Sequence, residues 1–293
     1  MIANQAIPST QIKQAAETLK KLRPIYADIL SFHERIFIAQ ETSKLNLHLD
    51  PIQLPTDVIS IKNQEKLPLI NPSDFVIDIE AGQSLFKEIC HIAQKTNREL
   101  AITAGILLDS FGNTINPKEL FSSLLEGHDS FFDKTAAELT IDKNPLAFIT
   151  YSSINPSLTL GAEQLSTYLE DDVPWEKGYC PICGNLPGLS LFGNDGQRLL
   201  NCSFCWHKWI GKRVQCPFCE NTDAKNLHYF CSDEEKEYRV DICDNCKKYI
   251  KTVDDRLANR AIYPPLEQVA TLHLDIKAQE MGFKSGIPLE LPV

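Results

Sequence analysis

The sequence predicts a fold of α plus small β. An all-helical N-terminal domain over residues 1–172 is followed by two rubredoxin-like or zinc-ribbon-like metal domains and a C-terminal helix. Three observations predict it: a helical hydrophobic period that stops near Asp171, four Cys-x-x-Cys pairs crowded into residues 180–246, and a last apolar stripe behind Pro264-Pro265. The expected boundaries are 1–172 for the helical domain, 173–214 and 215–262 for the two metal domains, and 263–293 for the closing helix and tail.

The helical part is read from spacing. Leu22, Ile25, Ile29, Phe32 and Ile36 recur every three or four residues, and Leu85, Phe86, Ile89, Ile92 and Ala93 do so again. Asn-Pro steps at 71–72, 116–117, 144–145 and 155–156 predict helix starts, because Asn caps free N–H groups and Pro at the first position gives up no bond. Asn116 and Glu119 have capping-box spacing. Residues 47–70, with Pro51, Pro55 and Pro68, are expected to be an extended linker. Beyond Asp171, Leu227-His228-Tyr229-Phe230 and the segment 237–241 read as short strands. Leu266, Val269, Leu272 and Ile276 make the final stripe, ending near Gly282.

The composition is that of an ordinary globular chain, 43% hydrophobic and 23% charged. No apolar run of eighteen residues exists, so no membrane span is expected. The first residues lack a continuous apolar segment and a small-residue cleavage site, which predicts no secretory signal. A formal net charge of −10 weighs against a general nucleic-acid binder.

Clustered cysteines without an export signal point to metal ligation in a reducing compartment rather than to disulfides. A Cys-x-x-Cys turn sets two thiolates on one side of a tight loop, and two facing turns supply a tetrahedron. The simplest assignment, in chain order, gives Cys180, Cys183, Cys202 and Cys205, then Cys216, Cys219, Cys243 and Cys246; an interleaved arrangement, first pair with third, needs longer closures. Pro181 presets φ in the first turn and Gly184 can take φ > 0; Pro217 recurs in the third without the glycine. The four pairs read as two copies of one two-pair module. Four thiolates suit zinc, which would be structural only, and equally iron, which could cycle by one electron.

Other candidates carry less. Cys90 reads as a core residue and Cys231 as a small hydrophobe. His207 and His228 are surplus to two complete thiolate sets. The run Trp206-His207-Lys208-Trp209-Ile210-Gly211-Lys212-Arg213 could stack bases, dock a protein, or simply pack between the knuckles. No GxxxxGK[ST] loop, G-x-S-x-G elbow or His-Glu-x-x-His occurs, and nothing nominates a catalytic pair, so no enzyme is expected.

Several of these residues together resemble a known family. The run GYCPICGNLPG at 178–188, Leu199 to Cys205 with Trp209, Arg213 before Cys216-Pro217-Phe218-Cys219, Leu227-His228-Tyr229, Cys243-Asp244-Asn245-Cys246 with Tyr249-Ile250-Lys251, and VATLHLDIKAQEMGF at 269–283 resemble the formate dehydrogenase accessory protein FdhE family. The resemblance covers about 178–283. It implies a cytoplasmic maturation factor with two rubredoxin-like iron domains. Such a factor binds the catalytic subunit of a molybdenum- or tungsten-dependent formate dehydrogenase before export and is needed for its activity. The eight paired cysteines carry over individually as metal ligands, and iron gains over zinc. One departure is Leu266-Glu267-Gln268, where the family often has an acidic pair; if that pair forms a contact surface, the partner would differ. The competing expectation is a zinc-ribbon nucleic-acid-binding module using Trp206, Trp209, Lys212 and Arg213.

Overall fold

The computed structural model describes residues 7–169, 175–232 and 235–287. Two units emerge: one takes the chain up to Ile52 with Asn71–Gln164, the other Gln53–Ile70 with the chain from Leu165 onward. The described helices run in order α1 (Ser9–Leu22), α2 (Ala27–Leu45), α3 (Thr56–Gln64), α4 (Ile79–Ala93), α5 (Arg98–Ser110), α6 (Pro117–Leu125), α7 (Asp129–Leu139) and α8 (Lys143–Ser166). All but α3 build the first unit, so the expected helical N-terminal region is observed.

Side-chain caps explain the starts of α4, α5 and α6. Asp78 accepts from the Ala81 N–H at 3.0 Å and Asn97 from the Leu100 N–H at 2.9 Å. Asn116 accepts from Lys118 and Glu119, while the fully reciprocal box forms at Asn71 and Asp74. Pro156 departs from the expectation: it lies inside α8 rather than opening a helix. A mid-helix proline leaves the carbonyl four residues back without its donor. Here that carbonyl belongs to Ser152, and the Gln40 side-chain amide of α2 donates to it at 2.7 Å. The interruption is repaired from a neighbouring helix.

The first apolar stripe also breaks. Pro24 ends α1, and Leu22 and Ile25 are 55% and 88% exposed; Leu30, Ile36, Phe37 and Ala39 form the buried face of α2 instead. The α4 stripe holds at Leu85, Phe86, Ile89 and Ala93, with Cys90 buried among them. Phe86 stacks on Phe111 at 3.9 Å between ring centroids. His33 is buried against Phe32, Phe37 and Phe148.

The second unit is organised by one sheet of strands β1 (Pro187–Phe192), β2 (Arg198–Cys202), β3 (Lys208–Gly211), β4 (Leu227–Ser232), β5 (Glu235–Cys243), β6 (Lys248–Asp254) and β7 (Lys284–Ser285). The order is β3-β2-β1-β6-β5-β4, with β7 pairing the start of β6. β1-β2-β3 and β4-β5-β6 are each antiparallel meanders, and β1 joins β6 in parallel from Leu189–Lys251 to Phe192–Asp254. Both cysteine modules therefore share a continuous ladder.

After α9 (Asp255–Ala258), the closing segment is two helices, α10 (Pro264–Ala270) and α11 (Leu272–Glu280). Thr271 divides them: its hydroxyl bonds back to the Glu267 carbonyl at 2.7 Å and its backbone leaves helical geometry. The break shifts the phase, so Leu274 and Ala278 join Leu266 and Val269 inside while Ile276 stays exposed. Leu274, Ala278 and Phe283 pack on Leu189, Tyr238, Val240, Tyr249 and Val253 of the sheet. Two buried polar links fix this packing. Lys251 reaches Asp275 at 2.6 Å and the Gln268 carbonyl at 2.9 Å. Arg260 holds the wholly buried Glu267 at 2.8 Å, and the Tyr238 hydroxyl donates to the same carboxylate. Glu267 and Gln268 are both buried, so the acidic position expected at a contact surface is an internal strut.

Two outcomes follow. Glu267→Ala should lower unfolding stability by about 3–5 kcal/mol in urea melts, because the buried Arg260 loses its counter-charge. Burial depresses the His33 imidazole to about 4 from its ordinary 6.5. Between those values the unfolded chain takes a proton that the folded chain refuses, so stability falls as pH falls. The wild type should lose about 2–3 kcal/mol more than His33→Phe between pH 7 and pH 4.5. Equal losses in urea midpoints would dismiss this role for His33.

Candidate metal centres

Each knuckle closes by the same local rule. The residue four positions after the first cysteine has a left-handed backbone: Gly184 at φ 76°, Trp206 at 58°, Glu220 at 57° and Lys247 at 56°. Three of these N–H groups turn back to the carbonyl of that first cysteine, Gly184 to Cys180, Glu220 to Cys216 and Lys247 to Cys243, at 2.8–2.9 Å. The cysteine N–H in turn reaches the carbonyl five residues on, as in Cys180 to Asn185, Cys202 to His207 and Cys216 to Asn221. A residue with a Cβ pays roughly 1–2 kcal/mol for this conformation. Only Gly184 was foreseen; the other three positions carry no glycine to mark them.

Strand pairing brings the knuckles together. The first lies just before β1 and the second between β2 and β3. Because β1 and β2 are antiparallel, Pro187 sits opposite Cys202. The third and fourth knuckles repeat this, with Leu227 of β4 opposite Cys243 at the end of β5. Cys180, Cys183, Cys202 and Cys205 gather in one set and Cys216, Cys219, Cys243 and Cys246 in another, with all sulfurs in each within 4.8 Å.

The spacing fits a bound ion. Four sulfurs at about 2.3 Å from a tetrahedral metal stand roughly 3.8 Å apart. The sulfurs lie 3.7 Å apart for Cys180–Cys205, 3.6 Å for Cys183–Cys202, 3.6 Å for Cys216–Cys246 and 3.7 Å for Cys219–Cys243. Each set could hold one metal ion. Outer bonds orient the sulfurs: the Asn185 amide donates to Cys183 and the Asn245 amide to Cys219, each at 3.6 Å.

The two sets differ in setting. All four cysteines of the first are buried, whereas Cys219 and Cys246 of the second are partly exposed. Burial pushes the Cys180 and Cys205 thiols well up, while hydrogen bonds from the neighbouring thiols draw Cys183 down. In the second set burial raises Cys216, and Cys246 is raised to about 11. At Cys219 partial burial pushes upward, but bonds from Asn245 and the Asn221 N–H bring it down to about 7. Metal binding must displace protons at both sets and weakens as pH falls.

Support for the first set comes from a segment read in sequence as a linker. Residues 53–70 contain α3, and their end runs against the first knuckle: the Leu69 and Ile70 N–H groups donate to the Pro181 and Ile182 carbonyls at 2.9 Å. The Tyr179 hydroxyl donates to the Lys66 carbonyl at 2.7 Å. Nothing in the spacing of 47–70 signalled this, since backbone pairing with a distant turn leaves no side-chain pattern. The sets also approach each other through Gly178, where an added Cβ would lie 1.8 Å from the Pro217 carbonyl oxygen.

The remaining candidates fall into place. His207 is outside the first sulfur set, and burial lowers its imidazole to about 4. His228 pairs with Asp244 at 3.1 Å and Cys231 is exposed. Trp209 is buried and its indole N–H donates to the Lys177 carbonyl, so it offers no face to a base; Lys212 pairs with Glu176 at 3.1 Å. No described helix is long and apolar enough to cross a membrane.

The chain is similar to known proteins. Residues 214–289 match the family described as FdhE, C-terminal domain. An FdhE homolog of Aquifex aeolicus is 35% identical over 49% of this chain and 50% of its own length, so that match spans about half of the relative. An FdhE homolog of Haemophilus influenzae is 23% identical over 96% of this chain and 95% of its own. The chain is thus similar to FdhE proteins, through a family match in its C-terminal part and a weaker likeness over nearly its whole length. The crystal structure of the FdhE protein from Pseudomonas aeruginosa superposes with a TM-score of 0.67, covering 98% of this chain and 97% of that one at 18% identity, which is a likeness of fold.

Unequal burial has a measurable consequence for the metal-loaded protein. Release to a chromogenic chelator should be biphasic, with the half from the partly exposed second set leaving at least about tenfold faster. Cys219→Ser should abolish the fast phase and keep the slow one. A single phase for both metals would contradict the asymmetry.

Proposed function

We propose that this protein is a cytoplasmic maturation factor that binds the catalytic subunit of a formate dehydrogenase and is required for that enzyme to become active. The observation that carries the reading is the duplicated four-cysteine module in a chain similar to FdhE proteins, fused to a helical unit. In this reading residues 1–172 form the helical domain. Residues 173–214 and 215–262 are rubredoxin-like modules, and 263–293 close the fold. Cys180, Cys183, Cys202 and Cys205 ligate one iron; Cys216, Cys219, Cys243 and Cys246 ligate the other. Zinc is the alternative occupant. Iron in four thiolates supplies one-electron chemistry, while zinc would only brace the fold.

The chain's own residues do the rest. The four left-handed knuckle residues hold the sulfurs in place, and α10 and α11, packed on the sheet, keep it rigid behind them. The partly exposed second set, not the sealed first, is the one that could face a client. The protein itself turns over no substrate in this reading.

Two experiments test it. Protein purified without air should carry about two irons per chain, with thiolate-to-iron charge-transfer bands after oxidation; two zincs and no colour would reduce the sites to a scaffold. In cells lacking the native gene, a Cys216→Ser, Cys219→Ser chain should fail to restore formate dehydrogenase activity or to co-purify the catalytic subunit. Full restoration by that variant would remove the second set from the function.

A further inference from the structure

Beside the second sulfur set lies a pocket of about 200 Å³ whose walls carry charge opposite to that of the chain. The protein has a formal net charge of −10. Yet the pocket lining contains Arg198, Arg213, Arg239 and Lys248 against one acid, Asp241. Cys216 and Cys243 form part of the same wall.

Internal pairing uses up only some of this charge. Arg198 is buried and committed: it donates to Ser190 at 3.0 Å, to the Gln215 carbonyl at 2.8 Å and to Asp241 at 3.4 Å. Asp241 is answered three times over, by Arg198, by Arg239 at 3.0 Å and by the Thr252 hydroxyl at 2.6 Å. The thiolates of the second set bring negative charge of their own, and Arg198 is the arginine in the field of Cys216.

Three cations remain less occupied. Arg213 donates to the Gly196 carbonyl at 3.4 Å. Among the described residues the Lys248 ammonium has no carboxylate partner; it sits 5.6 Å over the Phe218 ring. Arg239 is clamped between aromatic faces, 4.4 Å from Phe192 and 5.0 Å from Tyr229, and its Nε has no acceptor. Stacking of this kind fixes a guanidinium in place before any ligand arrives. An acidic chain that gathers such cations on an aromatic floor, where the one lining acid, Asp241, is already shared by Arg198, Arg239 and Thr252, is built to receive an anion.

We propose that this pocket is an oxyanion site, taking one phosphate or carboxylate group held by Arg213, Arg239 and Lys248 next to the second four-cysteine set. The group belongs to a small molecule or to a side chain of a bound protein; the recognising chemistry is the same. The site stands independently of the maturation reading, since it needs only the geometry of the pocket.

Calorimetric titration of the metal-loaded full chain, with inorganic phosphate and separately with acetate at fixed ionic strength, tests it. Saturable uptake of one anion per chain is expected. Phosphate alone would identify a phosphoryl ligand, acetate alone a carboxylate, and both the shared oxyanion chemistry. Arg239→Gln and Lys248→Gln should each weaken binding about tenfold or more, while Lys236→Gln, an exposed lysine outside the pocket, should bind as the wild type. Lys248→Gln removes only the ammonium of a partly exposed side chain, so it keeps the test alive if Arg239→Gln does not fold. The proposal fails if neither anion saturates, or if Lys248→Gln binds like the wild type. Loss of metal from the variants, with no anion uptake by the wild type, would assign the cations to the sulfur cluster instead.

Discussion

Four sulfurs brought within van der Waals reach of one another are the constraint on which the second unit depends. Thiolates repel, so eight of them converge only if the backbone forces each pair into place and a cation repays the cost. The backbone does so through a turn that ends on a left-handed residue, used four times. Antiparallel pairing then sets turn against turn, β1 against β2 and β4 against β5. The sheet is thereby a frame for the sulfurs as much as a hydrophobic layer.

The buried charges behind the sheet serve the same frame. Lys251–Asp275 and Arg260–Glu267 are ion pairs removed from water, a type that adds little net stability but resists alternative packings. Lys251–Asp275 links α11 to β6, and Glu267 of α10 is tied both to Arg260 and to Tyr238 of β5, fixing a register where an apolar contact alone would allow sliding. Glu267 illustrates how a sequence position can mislead. An acidic residue in a helix suggests a surface, but an arginine seven residues earlier and a tyrosine on β5 draw it inside.

Legibility followed the range of the interactions. The cysteine sets could be read because Cys-x-x-Cys spacing is local and metal chemistry allows few alternatives. The α4 stripe and the Asn116 cap were local too. Pro156 was misread because the donor that rescues its helix, Gln40, lies far away in sequence. The phase of the closing stripe failed at Thr271, whose back-bond divides one expected helix into two. Residues 47–70 were read by their prolines as linker, although Leu69 and Ile70 at their end pack on the first knuckle through backbone N–H groups that any residue type would supply.

The parallel joint between β1 and β6 bears on how the chain can be divided. The two modules look like beads that could be cut apart between β3 and the third knuckle. Such a cut would strip β1 from β6 and bare a row of unpaired amide and carbonyl groups along a central strand. A fragment beginning near Val214, where the recognised C-terminal domain starts, would thus carry a sticky edge prone to self-association. The two modules share one ladder and do not separate cleanly between β3 and the third knuckle.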